Sequence, residues 1–384
     1  LANGLWYKIS IPKRGIYKID RAFIQKNLNL DPAGLDPRNI KIFGNGGEML
    51  PESTDDSFDD DLVENAIYFK GESDGRFDEQ DYILFYANGP DSYSYNEAYG
   101  DYNYRKNAYS NVSYYFIKLD GSPGKRIPIV PSEPNPDYDS HLSFDFAHYE
   151  RDLVNLLDLD PGGEGSGKTW FGEELSNTRE FDFGNAFLFD NVELGKKGKF
   201  SFAFAGRSPV VSQIVSEVES TRSTTNINYV VYSSISRFAN IASRTEDFQP
   251  VSDLVKAKIT YPQISGTSTE GWLDYFQVSV WKKLIWNNKT LFIMDPASKA
   301  SNVSRFTISK VNTIKQIWDI TNPLNIQFIQ GELLTGDEMR FSAKTSGSYR
   351  QFLVVDELQN FPSPDYISTT GNQNIHGLDA EEML

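Results

Sequence analysis

The sequence has 384 residues and no cysteine, and its 53 acidic side chains outnumber its 37 basic ones to give a net charge of −16. Without cysteine the chain can form no disulfide, zinc–thiolate site or thiolate nucleophile, and its negative charge excludes nucleic acid and anionic membranes as expected partners. No segment approaches the roughly 20 consecutive apolar residues of a membrane-spanning helix, and the length exceeds the usual size of a single hydrophobic core.

Short segments of alternating hydrophobicity predict a β-rich amino-terminal domain over residues 1–127. A hairpin is expected over residues 5–19, with its turn at Pro12-Lys13-Arg14-Gly15. Asp20 is expected to cap a short helix that runs from residue 21 to about residue 29. The later strands of this domain are predicted at residues 40–43, 66–70, 82–86 and 114–118.

Residues 128–180 are predicted to form a linker between two domains. Its first part carries four prolines between Pro128 and Pro136, which favour an extended chain. The stretch 147–157 is predicted to be an amphipathic helix, because its apolar side chains fall on one helical stripe: Tyr149, Leu153, Leu156 and Leu157. A glycine-rich loop is expected at residues 161–167.

Residues 181–359 are predicted to form a β-sandwich or jelly-roll-like domain, because short strands recur there between turn residues. The central strand is expected over residues 272–284, where Phe276, Val278, Val280 and Leu284 share one face at the spacing of a strand. Residues 360–384 are predicted to be an exposed exit linker. The fold class is therefore mainly β, with one or two short helices.

One glycine-rich string matches a nucleotide-binding motif. The residues from Gly162 to Thr169 fit the P-loop pattern G-x-x-x-x-G-K-T, in which Lys168 would contact the outer phosphates. That motif needs a buried strand before it and a helix after it, whereas acidic residues precede it here and Trp170-Phe171-Gly172 follow. We therefore interpret the segment as a flexible glycine loop and do not expect it to bind nucleotide.

Asp74, Asp78 and Asp81 are the candidate metal ligands. They lie in an acidic loop with an Asp-Gly turn, and calcium prefers carboxylate oxygens. A standard EF-hand is excluded, because Lys70 occupies the position of its first acidic ligand. Two interpretations stay open, namely a degenerate hairpin calcium site formed by these three residues and a solvated loop without an ion. No other cofactor is expected.

The sequence contains no catalytic constellation. The three histidines, His141, His148 and His376, have no His or Glu partner at the spacing of helical metal ligands. Acidic residues are so frequent in this chain that a pair of them is weak evidence for acid–base catalysis. The chain by itself is therefore expected not to be an enzyme.

Several characteristic strings are distributed in order over nearly the whole chain. They are Trp6-Tyr7-Lys8-Ile9, Gly15 to Asp20, Pro37 to Gly47, Asp74 to Asp78, Asp81 to Pro90, Trp170-Phe171-Gly172-Glu173, Trp272-Leu273-Asp274-Tyr275, Trp318-Asp319-Ile320-Thr321 and Asn372 to Gly377. Together they resemble the region that precedes the peptidase domain in the type IX secretion sortases of Bacteroidetes, which belong to the gingipain-type cysteine peptidase family.

This resemblance implies that a caspase-like domain with a Cys–His pair follows, and that this chain is the non-catalytic amino-terminal part of a larger sortase. Such sortases cleave the carboxy-terminal sorting signal from exported cargo and transfer the cargo to a lipopolysaccharide anchor. The implied location is the extracellular face of the outer membrane, after removal of a signal peptide. The implied partners are the chain's own peptidase domain, an outer-membrane β-barrel protein and the cargo.

A carbohydrate-binding β-sandwich is the alternative that does not depend on the resemblance. Its candidates for stacking on sugar rings are Trp6, Trp170, Trp272 and Trp286. Exposed, coplanar tryptophans would favour sugar binding, whereas buried ones would favour a structural role.

Overall fold

The computed structural model describes residues 1–373, apart from residues 2, 52, 54, 56, 57, 60, 157–168, 234 and 235. Strands form most of the regular structure, so the predicted mainly β fold is confirmed. These residues include one α-helix, α1 (Arg21–Lys26), and short 3₁₀ turns at Pro32–Gly34, Pro37–Asn39, Glu72–Asp74 and Pro296–Ala300. No helix in the described ranges is long and apolar enough to cross a membrane.

The strands are numbered in chain order. Those before residue 120 are β1 (Leu5–Ile11), β2 (Gly15–Asp20), β3 (Ile40–Phe43), β4 (Glu64–Asn65), β5 (Tyr68–Lys70), β6 (Tyr82–Ala87), β7 (Ser92–Asn96), β8 (Asp101–Arg105) and β9 (Ser113–Leu119). The next group is β10 (Ile129–Val130), β11 (Tyr138–Ser140), β12 (Leu142–Glu150), β13 (Val154–Asn155), β14 (Trp170–Phe171), β15 (Glu180–Asp182), β16 (Gly198–Arg207), β17 (Ser212–Val218), β18 (Thr221–Ile227), β19 (Asn240–Phe248), β20 (Ala257–Thr260) and β21 (Glu270–Lys283). The last are β22 (Leu291–Ile293), β23 (Val303–Ser309), β24 (Gln316–Asp319), β25 (Gln327–Ile329), β26 (Glu332–Leu334), β27 (Glu338–Lys344), β28 (Phe352–Val355) and β29 (Asp365–Thr370).

Three pairs of facing sheets each enclose a cluster of buried apolar side chains, and we call them the first, second and third sandwiches. The first pairs the sheet β29-β1-β9-β3-β4 with the sheet β2-β6-β5. The second pairs β12-β21-β16-β19 with β15-β20-β17-β18. The third pairs β10-β25-β24-β28-β22 with β11-β23-β27-β26. The residues predicted as one sandwich over 181–359 thus contribute to two separate cores.

The predicted central strand is β21, and the expectation that it lies inside a sheet is confirmed. It pairs in antiparallel fashion with β12 on one side and β16 on the other. Phe276, Val278 and Val280 are fully buried in the second sandwich. Leu284 follows the end of the strand and packs in the third sandwich instead.

The predicted helix at residues 147–157 is wrong, because residues 142–150 form β12. Successive side chains of β12 alternate between two environments, since Phe144 and Phe146 pack on one face while Ala147 and Tyr149 pack against the second core on the other. The strand also pairs with the backbone of one edge of β21 over nine residue pairs. Burial at a period of two therefore overrides the apparent helical stripe. Leu157 lies outside the described residues.

The two segments predicted as linkers also take part in sheets. Within the proline-rich stretch, β10 pairs in parallel with β25. The segment predicted as an exposed exit linker contains β29, which pairs in antiparallel fashion with β1, and Tyr366 packs against the first core. Residues 365–370 are therefore an edge strand of the first sandwich. They form backbone hydrogen bonds with the edge of β1 that β9 does not occupy.

At the start of α1, the structure agrees with the sequence. The carboxylate of Asp20 accepts a hydrogen bond from the Phe23 N–H at 2.9 Å, as expected for a residue that caps a helix. The helix ends at Lys26, before the predicted residue 29. Phe23 and Ile24 pack into the first core.

The first and third sandwiches pack directly on each other. The outer face of sheet β2-β6-β5 contributes Leu84 and Tyr86, which meet Trp318 and Leu353 of the third sandwich. Every residue of β6 and of β28 is buried. A contact this apolar leaves little freedom for a hinge between the two sandwiches.

We predict that Phe276→Ala lowers the free energy of unfolding by about 3–5 kcal/mol, because it removes a fully buried ring from the second core. The matched control is Phe58→Ala, whose ring is 55% exposed and whose loss should change stability by less than about 0.5 kcal/mol. Denaturant unfolding of the purified variants measures both values. Equal stability of Phe276→Ala and the native protein would contradict the central position of β21.

Candidate functional site

A β-hairpin, here called the arm, projects from the first sandwich between β6 and β9 and packs on the second sandwich. It consists of β7, β8 and their turn, residues 92–105, and it lies on the face of β21 opposite the second core. The Gln277 side-chain amide donates a hydrogen bond to the Tyr102 carbonyl at 2.8 Å, and the Ser279 hydroxyl donates to the Asp101 carboxylate. These bonds explain how two polar residues in the middle of β21 are buried.

Aromatic rings fill the contact between the arm and the sheet. The Tyr102 ring centre lies 4.4 Å from that of Phe146 and 5.8 Å from that of Phe144, with the latter pair stacked. The Tyr102 hydroxyl donates to the Phe144 carbonyl at 2.8 Å, and Tyr95 meets Phe144 edge-on at 6.0 Å. The arm is therefore a packed part of the structure.

Arg14, in the turn between β1 and β2, lies at the base of the arm among aromatic rings. Its guanidinium carbon is 3.9 Å from the ring centre of Tyr93, 5.2 Å from that of Phe292 and 5.5 Å from that of Phe146. Cations are attracted to the faces of such rings. Its Nη1 atom is buried and has no hydrogen-bond partner in the part of the chain that the structure describes. From the sequence, Arg14 is predicted only to be a turn residue.

His148 lies on β12 between two tyrosine rings. Its ring centre is 4.0 Å from that of Tyr104 and 5.2 Å from that of Tyr275. Its Nε2 atom is 2.8 Å from the Glu150 carboxylate, and its Nδ1 atom is 3.1 Å from the side-chain oxygen of Gln277. These residues lie beside a cavity of about 350 Å³, which Tyr104, His148, Tyr275 and Gln277 help to line. Both ring nitrogens are therefore occupied by neighbouring side chains.

Asp274 occupies a β-bulge in β21, and no sequence motif marks it as a site residue. Leu273 pairs with Phe204, and Tyr275 pairs with the preceding residue, Ala203. Asp274 is therefore the extra residue between two consecutive pairs, which is the definition of a bulge.

The bulge places Asp274 close to other acids. Burial, and then the negative charges of Glu150 and Asp152, raise the pKa of the Asp274 carboxyl to about 7. The three acids line a cavity of about 690 Å³, and the ammonium of Lys106 lies 2.7 Å from the Asp152 carboxylate. The bulge therefore places a carboxyl group with a raised pKa at this cavity.

Two of the three predicted calcium ligands accept hydrogen bonds from their own loop. The carboxylate of Asp81 accepts from the Asp78 N–H at 2.8 Å, and that of Asp74 accepts from the Arg76 N–H at 3.0 Å. Gly71 has a φ of +96°, and a Cβ atom there would lie 1.7 Å from the Asp81 carboxylate, so the close approach requires glycine. Among the residues with described positions, no group of three or more His, Asp or Glu side chains is arranged to hold a metal.

The described residues of the remaining sequence motifs are not arranged as a catalytic site. The segment from Gly162 to Lys168 and His376 lie outside the described residues. Shortly after Thr169 the chain forms β14, a strand paired with β13, where a P-loop would require a helix. The backbone carbonyl of His141 accepts a hydrogen bond from the Leu284 N–H at 2.9 Å.

The tryptophans proposed for sugar binding are mostly buried. Trp6, Trp272 and Trp286 are 4%, 7% and 5% exposed, whereas Trp170 is 40% exposed. A buried ring cannot stack on a sugar in solvent, so three of the four candidates serve packing instead. The structural use of these tryptophans is the one that the geometry favours.

Comparison with solved structures gives a strong likeness in fold. The crystal structure of dimeric latent PorU from Porphyromonas gingivalis matches 99% of this chain, with a TM-score of 0.82 and 19% sequence identity. The match covers 34% of the PorU chain, so this chain spans about a third of its length. The likeness confirms, at the level of the fold, the resemblance that the sequence strings predicted.

Two further solved structures match weakly. The insecticidal δ-endotoxin Cry8Ea1 from Bacillus thuringiensis has a TM-score of 0.23 and 14% identity, over 44% of this chain and 27% of its own. A cycloisomaltooligosaccharide glucanotransferase from Paenibacillus sp. has a TM-score of 0.17 and 8% identity, over 46% of this chain and 40% of its own. Neither score carries an argument. No protein-family model and no curated protein matches the sequence.

We predict that Asp274→Asn stabilises the protein at about pH 8 but not at about pH 4. The folded-state pKa of about 7 lies above the ordinary value of 3.8. The stability that comes from protonating Asp274 is therefore fully present at pH values below 3.8. That contribution is lost as the pH rises through the folded-state pKa. The amide mimics the protonated acid, so the variant should gain on the order of 2–4 kcal/mol over the native protein at the higher pH.

Unfolding experiments at both pH values measure this difference. Tyr109→Phe, which changes an exposed residue lining the same cavity, is the control and should retain the native pH profile. A stability difference between Asp274→Asn and the native protein that is equal at both pH values would contradict the assignment.

Calcium binding by Asp74, Asp78 and Asp81 stays a prediction. An ion held only by the folded loop raises the melting temperature by linkage, so millimolar calcium should raise that of the native protein and not that of Asp78→Asn. Asp59→Asn, which changes an exposed acid outside this loop, should keep the full rise. A native melting curve that calcium leaves unchanged would remove the hypothesis.

Proposed function

We propose that the chain is the non-catalytic amino-terminal region of a cell-surface sortase of the type IX secretion system. The observation that carries the proposal is the match to latent PorU over 99% of this chain and 34% of the PorU chain, in a sequence without cysteine. A cysteine peptidase needs a thiolate nucleophile. The catalytic pair would therefore lie in the part of the larger protein outside these residues.

Within such a protein the chain would act as a rigid platform for the peptidase domain. Three contacts support this role. The arm packs on the second sandwich through Tyr102 and Gln277. The first and third sandwiches share an apolar interface around Leu84 and Leu353, and β29 returns to pair with β1. A body whose parts share buried surfaces can hold an attached domain at a fixed orientation.

The proposed partners follow from this role. The platform would orient the chain's own peptidase domain against an outer-membrane β-barrel protein at the extracellular face, where cargo proteins arrive. The full protein would remove the sorting signal of the cargo and transfer the cargo to a lipopolysaccharide anchor. The net charge of −16 favours partners with basic surfaces over anionic ones.

We predict that the purified chain shows no peptidase activity, because it has no cysteine nucleophile. Incubation with fluorogenic peptides, including sorting-signal peptides, tests this expectation. The longer reading frame that contains the chain is expected to encode a His and then a Cys in a caspase-like domain, and that protein is the positive control. Turnover by the chain that survives repeated purification would overturn the assignment.

Chemical cross-linking of the full-length protein tests the platform role separately. Cross-links should join lysines of this chain to the peptidase domain in positions compatible with one orientation. A set of cross-links that requires many orientations would contradict a rigid platform while leaving the assignment to a sortase intact.

A further inference from the structure

A cavity of about 670 Å³ lies between the first and third sandwiches, beside the base of the arm. Its lining includes the turn between β1 and β2 and residues 288–290 and 359–362. Its apolar lining includes Phe292, Ile320 and Leu353. The volume is in the range of cavities that bind small organic molecules or a few residues of a peptide.

The cavity is basic in a protein that is strongly acidic. Its described lining contains Lys13, Arg14 and Lys289 and no Asp or Glu, although acids outnumber bases by 53 to 37 in the whole chain. Of these three bases, Lys289 is paired outside the lining, with its ammonium 3.4 Å from the Asp190 carboxylate. Cations within an apolar wall produce a positive potential that attracts anions. The lining therefore favours a ligand that is both negatively charged and apolar.

Arg14 provides the anchoring point for such a charge. It lines the cavity, its guanidinium is covered by the ring of Tyr93 at 3.9 Å, and its buried Nη1 atom has no partner among the described residues. Asp145 is the acid whose negative charge helps to raise the pKa of Arg14. Its carboxylate already accepts a hydrogen bond from the Lys282 ammonium at 3.0 Å. A buried donor left unsatisfied is rare in folded proteins, so the chain itself leaves the hydrogen-bonding capacity of this guanidinium incompletely used.

The chemistry of a matching ligand follows from the guanidinium. Its planar fork of N–H donors matches the two oxygens of a carboxylate, and such charge-assisted bonds are strong where water is excluded. Phe292, Ile320 and Leu353 would cover an apolar or aromatic group attached to that carboxylate.

We propose that this cavity is a binding site for a carboxylate carried on an apolar or aromatic group, with the carboxylate paired to Arg14. The carboxylate belongs either to a free organic acid or to the carboxy-terminal residue of a peptide. The proposal does not depend on the assignment of the chain to a sortase, because it rests on the cavity and on Arg14 alone.

Isothermal titration of the purified chain tests the site with two matched pairs of probes. The first pair is 3-phenylpropionate and its neutral amide, and the second is Gly-Gly-Phe with a free or an amidated carboxy terminus. We expect at least one acid to bind about tenfold or more tightly than its amide, since the pairs differ only in the charged group. Binding by the first acid alone identifies a free organic acid, and tighter binding by the tripeptide identifies a peptide terminus.

Variants of Arg14 then locate the bound charge. Arg14→Met should abolish the preference for the acid, and Arg14→Lys should retain part of it, because an ammonium keeps the charge but lacks the fork. Arg305→Met, which changes an arginine paired with Asp139 elsewhere in the third sandwich, is the control and should bind as the native protein does. Circular dichroism and melting curves of each variant establish that it is folded.

Three results would overturn the proposal. The first is the absence of binding by either acid at millimolar concentration. The second is equal affinity for acid and amide in the native protein, a comparison that needs no variant. The third is an unchanged preference for the acid in a folded Arg14→Met or Arg14→Lys protein.

Discussion

The structure depends on covering both faces of β21. One face carries Phe276, Val278 and Val280 and closes the second core. The other carries Gln277 and Ser279, which cannot be buried at low cost unless their polar atoms are bonded. The Gln277 amide nitrogen and the Ser279 hydroxyl donate to the arm, which comes from the first sandwich, while the Gln277 oxygen contacts His148 of β12. The second sandwich is therefore completed by residues more than 170 positions earlier in the chain, and its stability is tied to the position of the first.

Much of the fold could be predicted from local patterns, and the failures have physical reasons. The alternation around Phe276 predicted β21, and Asp20 predicted the start of α1, because both signals act within a few residues. The stretch 147–157 has a helical spacing of apolar residues, yet the open edge of β21 takes residues 142–150 as a strand. That edge is formed by residues more than 120 positions away, so no local pattern contains it. The same holds for β29, whose partner β1 lies at the other end of the chain.

The candidate sites were less predictable than the fold. A signal for Asp274 existed, since Leu273 and Phe276 both enter the second core although residues three apart in a regular strand face opposite sides. That spacing requires an extra residue, and the extra residue is the acid. Arg14 gave no signal, because a basic residue beside glycine in a turn is ordinary. Its significance comes from the rings and the cavity wall that two sandwiches bring around it.

The pairing of β29 with β1, here called the seam, resists mechanical force differently in different directions. Trp6 lies opposite Thr370, and the Gln373 N–H donates to the Leu1 carbonyl at 3.0 Å, so the outer ends of the two strands lie side by side. Hydrogen bonds between antiparallel strands run perpendicular to the strands. A force that separates these ends therefore peels the bonds one at a time, whereas a force along the strands must break them together. Tension between residues 1 and 373 would open this seam before it disturbed the sandwich behind it.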